Sequence, residues 1–361
     1  MSGEEKERFV PTIGFVVAGF GLAAGLLRWS DLVAVGPFES LPGALLGLIA
    51  LVGFAARRYG ATNRAYSLLA GFGAGGLALS AAVVTIHPSA TTGAGLGVGA
   101  PLAFVFGILS VGIATADYLG QDREAFLRRA QYGLGAFFIG FFGLFVGFLF
   151  SIASYFAFPS EGAIAANGIG TVAFSVGLGV VAVGYLWRTD RDWTFLDIAM
   201  PTRRGWLYII GGTLTMFLVL GASGLLTEAL GIPSAEHGLL EQAREAPMLL
   251  LAFVPLSFLV IGPGEELLSR NIIQKHLYDG YSRLSAVVVG TAVFAAIHLP
   301  AYATGPPPAI FATLVQLFGI SLVLGVVYER TDNVVVPAVV HGTYNAVQFV
   351  FAYVAITSGM L

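Results

Sequence analysis

The sequence predicts an all-α, polytopic transmembrane helical bundle of about eleven spans with its N-terminus inside, and three observations carry that reading. The 361 residues are 57% hydrophobic and only 11% charged, against roughly 25% charged in ordinary soluble domains. The apolar residues gather into segments about 20 residues long, the length a helix needs to cross the hydrocarbon core while satisfying its own backbone. Lys and Arg gather in alternate connections, as short inner loops require.

Taken in order, the segments are 10–27, 41–56, 66–86, 97–115, 132–157, 163–187, 207–226, 247–277, 284–299, 309–328 and 334–357. The start, MSGEEKERFV, is acidic and lacks the basic leader of a cleaved secretory signal, so the first segment is expected to be a retained span. With the N-terminus inside, all of the 18 Lys and Arg except Arg28 and Arg244 fall on the inner side. An odd number of spans then puts the C-terminus outside. The 48 glycines, spread along the whole length, suit helices that pack closely through small residues.

The polar stretch 188–206, RTDRDWTFLDIAMPTRRGW, is the longest inner connection and divides the chain. Residues 1–190 read as a glycine-rich transmembrane module of about six helices, with no ionisable residue placed for chemistry. Residues 200–361 hold nearly all of the intramembrane ionisable groups. The outer segment 227–246 reads as an amphipathic surface helix. No internal repeat is evident.

Zero cysteines remove disulfides, thiolate metal sites and cysteine nucleophiles together. The net charge of −3, without a basic arm, gives no sign of a nucleic-acid partner. The expected partners are membrane lipids and a membrane-associated peptide or protein. Lys6 and Lys275 are the only lysines, a composition of GC-rich genomes, and the expected location is the plasma membrane of a prokaryote.

A charged group inside a bilayer is costly unless it is paired or faces a polar cavity, so intramembrane ionisable residues mark function. In the eighth span Gly262-Pro263-Gly264 precedes Glu265, Glu266 and, four residues on, Arg270. The ninth has Phe294 and His298, the eleventh His341 and Asn345, each pair again four apart. On a helix Glu266 then shares a face with Arg270, while Glu265 points about 100° away. His341 and Asn345 can present two donors to one oxygen. Pro263 leaves the carbonyl of Leu259 without its helical donor, opening a polar pocket beside Glu265. His87, His237 and His276 read as surface residues.

The E-E-x-x-x-R, F-x-x-x-H and H-x-x-x-N motifs, in that order and each on a predicted span, resemble those of the CPBP family, which includes CAAX prenyl endopeptidases of the Ras-converting type and the Abi proteins. The resemblance covers roughly 200–361. It implies an intramembrane endopeptidase site opening to the cytoplasm. Glu265 and His298 would activate a water, His341 and Asn345 would stabilise the oxyanion, and Glu266 with Arg270 would form the supporting ion pair. The family has been described both as metalloproteases and as metal-independent glutamate proteases. No cofactor is strictly required, because a carboxylate in low dielectric suits a general base. Zinc is the alternative, with Glu265, His298 and His341 as its ligands.

Two readings from other classes stand beside this one. The same polar cluster would serve a non-catalytic scaffold or bacteriocin-immunity protein as a buried ion-pair network. Ionisable residues on three helices also occur in transporters, although no inverted repeat supports that reading.

Overall fold

The computed structural model describes residues 8–26, 37–86, 99–159, 162–232, 235 and 238–360, and every regular element among them is helical. In chain order these are α1 (Phe9–Leu26), α2 (Pro37–Arg58), α3 (Ala65–Ile86), α4 (Gly99–Tyr118), α5 (Arg123–Ala157), α6 (Ala163–Arg188), α7 (Arg203–Ala229), α8 (Gly238–Glu245), α9 (Met248–Tyr278), α10 (Arg283–Ile297), α11 (Leu299–Tyr302), α12 (Pro307–Thr331) and α13 (Val335–Thr357). Among the described residues nine helices are long and apolar enough to cross a membrane, namely α1, α3 to α7, α9, α12 and α13. The other two predicted segments fall on α2 and on the shorter α10.

Hydropathy locates the apolar part of a helix, whereas capping locates its start. The fifth segment was expected from residue 132, but α5 begins at Arg123, where Asp122 Oδ1 accepts from the Ala125 N–H at 2.7 Å. Thr202 Oγ1 accepts from Gly205 N at 3.1 Å at the start of α7, and Asn333 Oδ1, two residues before α13, accepts from its first N–H, Val335 N, at 3.0 Å. Short polar side chains satisfy the otherwise orphaned first N–H groups of a helix.

The chain divides into two compact units. The first comprises residues 1–130, 229–233 and 306–312. Its helices α2 and α3 meet where Gly73 lies so near the partner backbone that a Cβ there would stand 2.4 Å from Ala50 N. Asp117 on α4 is buried and takes a bidentate bond from Arg57 on α2, Nε to Oδ2 at 2.9 Å and Nη2 to Oδ1 at 3.1 Å. Ser67 on α3 donates to the same carboxylate at 2.5 Å, so one carboxylate ties three helices. This buried pair was not anticipated in the sequence.

The second unit comprises 131–228, 234–305 and 313–361. One apolar core joins α5, α6, α9 and α10 through Ala136, Leu178, Ile272 and Val293. A second joins α7, α12 and α13 through Met216, Leu324 and Val340. The connection between α6 and α7 is strapped to this unit. Asp197 Oδ2 receives Lys275 Nζ at 3.0 Å and the Tyr328 hydroxyl, and the Asp197 carbonyl receives Val334 N at 2.8 Å. His276 departs from the surface position expected of it. It is half-buried, with Nδ1 3.3 Å from the Tyr185 hydroxyl and its ring 5.1 Å from that of Tyr132. His87, His237, Lys6 and Arg28 lie outside the described residues.

Candidate active site

The site is built on α9, which does not run as a plain α-helix. Wider π turns occupy Ser257–Ile261 and Leu267–Gln274, and the short α segment Gly262–Glu266 stands between them. Pro263 carries no N–H and its ring crowds the carbonyl one turn back, and the widened turn before it makes the room. The glycine ahead of that proline lets two backbones close. A Cβ on Gly262 would stand 2.6 Å from the Ala338 carbonyl of α13, and one on Gly342 of α13 would stand 2.9 Å from the Ser257 carbonyl. This contact brings the carboxylates of α9 to His341.

Glu266 is fully buried and both of its oxygens are engaged. Oε2 receives Arg270 Nε at 2.9 Å, and Oε1 receives His341 Nδ1 at 2.9 Å. Glu265, one residue earlier, is turned to a different face and half-buried. Its Oε2 lies 3.6 Å from His298 Nε2 and 4.0 Å from His341 Nε2. Both imidazoles therefore converge on one carboxylate oxygen.

Their other ring nitrogens fix which atom is chemically active. His298 ends α10, and its Nδ1 lies 2.7 Å from the Phe294 carbonyl. A carbonyl has no proton to give, so Nδ1 donates and Nε2 is the atom that takes or releases a proton. At His341 the partner of Nδ1 is a carboxylate already paired with Arg270, and the same logic assigns its Nε2. With both carboxylates ionised and the imidazoles neutral, Arg270 leaves the cluster one net negative charge. Phe294 lies under these groups, its ring centroid 4.3 Å from that of His298 and 5.4 Å from the Arg270 guanidinium carbon.

Glu265, Glu266, Arg270, His298 and His341 are thus brought together from α9, α10 and α13. Asn345 stands one turn beyond His341, half-buried, and hydrogen-bonds to none of these groups among the described residues. Two nearby residues carried no sequence signal. Ser321 of α12 receives Arg270 Nη2 at 2.7 Å, and a serine within an apolar span is unremarkable as sequence. Tyr302 follows His298 by four residues; burial, and after it the Glu265 carboxylate, push its phenol up to about 12, so it remains a donor at neutral pH.

Imidazole nitrogen and carboxylate oxygen are donors that zinc accepts. Bonds of about 2.0–2.1 Å set tetrahedral donors roughly 3.4 Å apart, and here the separations from Glu265 Oε2 are 3.6 and 4.0 Å. Among the described residues no group of three or more His, Asp or Glu side chains is disposed to hold a metal ion.

Residues 247–347 match the family model described as type II CAAX prenyl endopeptidase Rce1-like. The match spans the Glu265, His298 and His341 motifs and makes this stretch an Rce1-like domain. No curated protein and no solved structure matches the chain.

Proposed function

We propose that this chain, with an Rce1-like domain at residues 247–347, is an intramembrane endopeptidase in which Glu265 and His298 activate water. The observation that carries the reading is the division of labour between adjacent carboxylates. Glu266 is consumed by Arg270 and His341, whereas Glu265 Oε2 stands 3.6 Å from His298 Nε2, close enough for one water beside the pair to touch both atoms.

In this reading Glu265 takes a proton from that water while the water oxygen attacks the scissile carbonyl carbon. The carbonyl oxygen becomes an oxyanion and is met by His341 Nε2–H and the Asn345 carboxamide. The Nδ1 bond to Glu266 holds the imidazole with Nε2 turned toward the site. Collapse breaks the C–N bond, and the proton held by Glu265 and His298 passes to the leaving amine. Every step uses protein groups and water. The domain match supports a CAAX-type substrate, the C-terminal tail of a lipid-anchored protein.

The test compares wild type with Glu265→Gln in nanodiscs, using a tagged peptide library that includes prenylated CAAX sequences, with and without chelator. The expected result is cleavage by wild type that persists in chelator and is lost in the variant at unchanged thermal stability. Cleavage by Glu265→Gln at the wild-type rate overturns the reading in favour of a structural polar cluster, and loss of wild-type cleavage in chelator assigns Glu265, His298 and His341 to a metal.

A further inference from the structure

Helix α12 carries none of the motif residues, yet it holds the buried guanidinium of the site at two positions. Arg270 is fully buried, and its Nη2 donates to Ser321 Oγ at 2.7 Å. One turn further along α12 is Gly325. A Cβ there would lie 3.2 Å from Arg270 Nη1, 3.3 Å from Gln274 Oε1 and 2.9 Å from Val287 Cγ1. Gln274 also reaches the Gly325 carbonyl, with Nε2 at 3.4 Å. Arg270 Nη1 and Gln274 Oε1 are buried without a hydrogen-bond partner among the described residues, so the missing side chain of Gly325 is what lets two polar ends lie against this stretch of α12.

A guanidinium is a rigid planar fork, so holding one arm orients the whole group. The chain of bonds then runs from Ser321 to Arg270 Nη2, from Arg270 Nε to Glu266 Oε2, and from Glu266 Oε1 to His341 Nδ1, whose Nε2 faces Glu265 Oε2 at 4.0 Å. We propose that Ser321 and Gly325 are positioning residues for hydrolysis: they seat Arg270 so that Glu266 aims His341 at the reacting oxygen. The proposal rests on the endopeptidase reading.

The experiment uses the full chain in nanodiscs and the peptide that wild type cleaves best. Ser321→Ala is expected to lower kcat about tenfold, the loss of one bond to a charged group, with KM changed less than about twofold. In an Arg270→Lys background, where the fork is gone, Ser321→Ala is expected to cost nothing more. Gly325→Ala is expected to lower both the thermal midpoint and kcat. Adding Val287→Ala, which relieves the 2.9 Å contact, restores the midpoint and leaves kcat low. Wild-type kcat in Ser321→Ala, or an equal loss in the lysine background, overturns the role of Ser321; recovery of kcat together with the midpoint in the double variant overturns that of Gly325. If Arg270→Lys does not fold, Ser321→Thr replaces it: recovery of kcat supports a hydroxyl seat and a loss equal to that of alanine refutes it. Failure of the endopeptidase reading is separately visible, because wild type is then inert or Glu265→Gln remains active.

Discussion

Glu266 Oε1 accepts from His341 Nδ1 at 2.9 Å while Oε2 of the same carboxylate accepts from Arg270 Nε at 2.9 Å, so Glu266 joins α9 to α13 as well as to its own helix. Glu265, adjacent in sequence, approaches two imidazoles at the longer distances of 3.6 and 4.0 Å. The two carboxylates should therefore fail differently. Glu266→Gln leaves Arg270 buried without its counter-charge and is expected to destabilise by about 3–5 kcal/mol. Glu265→Gln alters a half-buried group and is expected to change stability by less than about 1 kcal/mol while abolishing cleavage. Thermal midpoints of the two variants beside wild type check this, and equal midpoints would refute it.

The meeting of α9 with α13 depends on bare backbone at two positions. Alanine at Gly262 would place its Cβ 2.6 Å from the Ala338 carbonyl, and alanine at Gly342 would place one 2.9 Å from the Ser257 carbonyl. Neither obstacle is a flexible side-chain end, so the helices must separate. Each substitution is expected to cost about 1–3 kcal/mol, and cleavage should fall because His341 retreats from Glu265. Activity and thermal stability measured on the same preparations test it; a Gly262→Ala protein with full activity would show that the close approach is dispensable.

The helical class was legible because composition and segment length alone demand it, and the cluster was legible because ionisable residues inside spans are rare enough to stand out. The i, i+4 pairing of Glu266 with Arg270 follows from helix geometry and survives even though a π turn begins at Leu267. The widening itself was not legible: Pro263 announces a disturbed helix without saying whether it bends or widens. Ser321 and Gly325 were hidden for the opposite reason, since small residues are abundant in every span and only the packed partner distinguishes these two. His276 was misread because distance from the span centre was taken as exposure, whereas Tyr132 and Tyr185 pack around it.

The strap between α6 and α7 should stabilise the helix that carries the site. Asp197 receives Lys275 Nζ at 3.0 Å and the Tyr328 hydroxyl, and the Asn271 amide lies 3.4 Å from the same oxygen. Lys275 and Asn271 follow Arg270 on α9, and Tyr328 belongs to α12. Asp197→Ala leaves the Tyr328 hydroxyl without this acceptor, while Lys275 Nζ keeps the Phe195 carbonyl at 2.6 Å, and is expected to cost about 1–3 kcal/mol. Limited proteolysis within 189–202 is expected to accelerate, since backbone released from its partners becomes a substrate for nicking. An unchanged digestion rate and thermal midpoint would show that the strap is held without the Asp197 carboxylate, by Val334 N on the Asp197 carbonyl, the Asn333 side-chain amide on the Ala199 carbonyl and Lys275 Nζ on the Phe195 carbonyl.

The ion pair of the first unit offers a contrast, because it is buried like Glu266 and Arg270 but, among the described residues, has no imidazole beside it. Asp117 is satisfied by Arg57 and Ser67, and the second Arg57 amine, Nη1, donates to the Ala61 carbonyl at 2.6 Å. Every strong donor in the cluster is already used, which leaves a cross-brace among α2, α3 and α4 rather than a reactive group. Asp117→Asn keeps the shape and removes the charge, so Arg57 remains largely buried without compensation, at an expected cost of about 3–5 kcal/mol. The folded fraction, isolated by size exclusion, is expected to keep the wild-type kcat, because the substitution lies in the first unit and the Glu265 site in the second. A normal thermal midpoint with a lowered kcat would reverse both halves of this argument and give Asp117 a part in the chemistry.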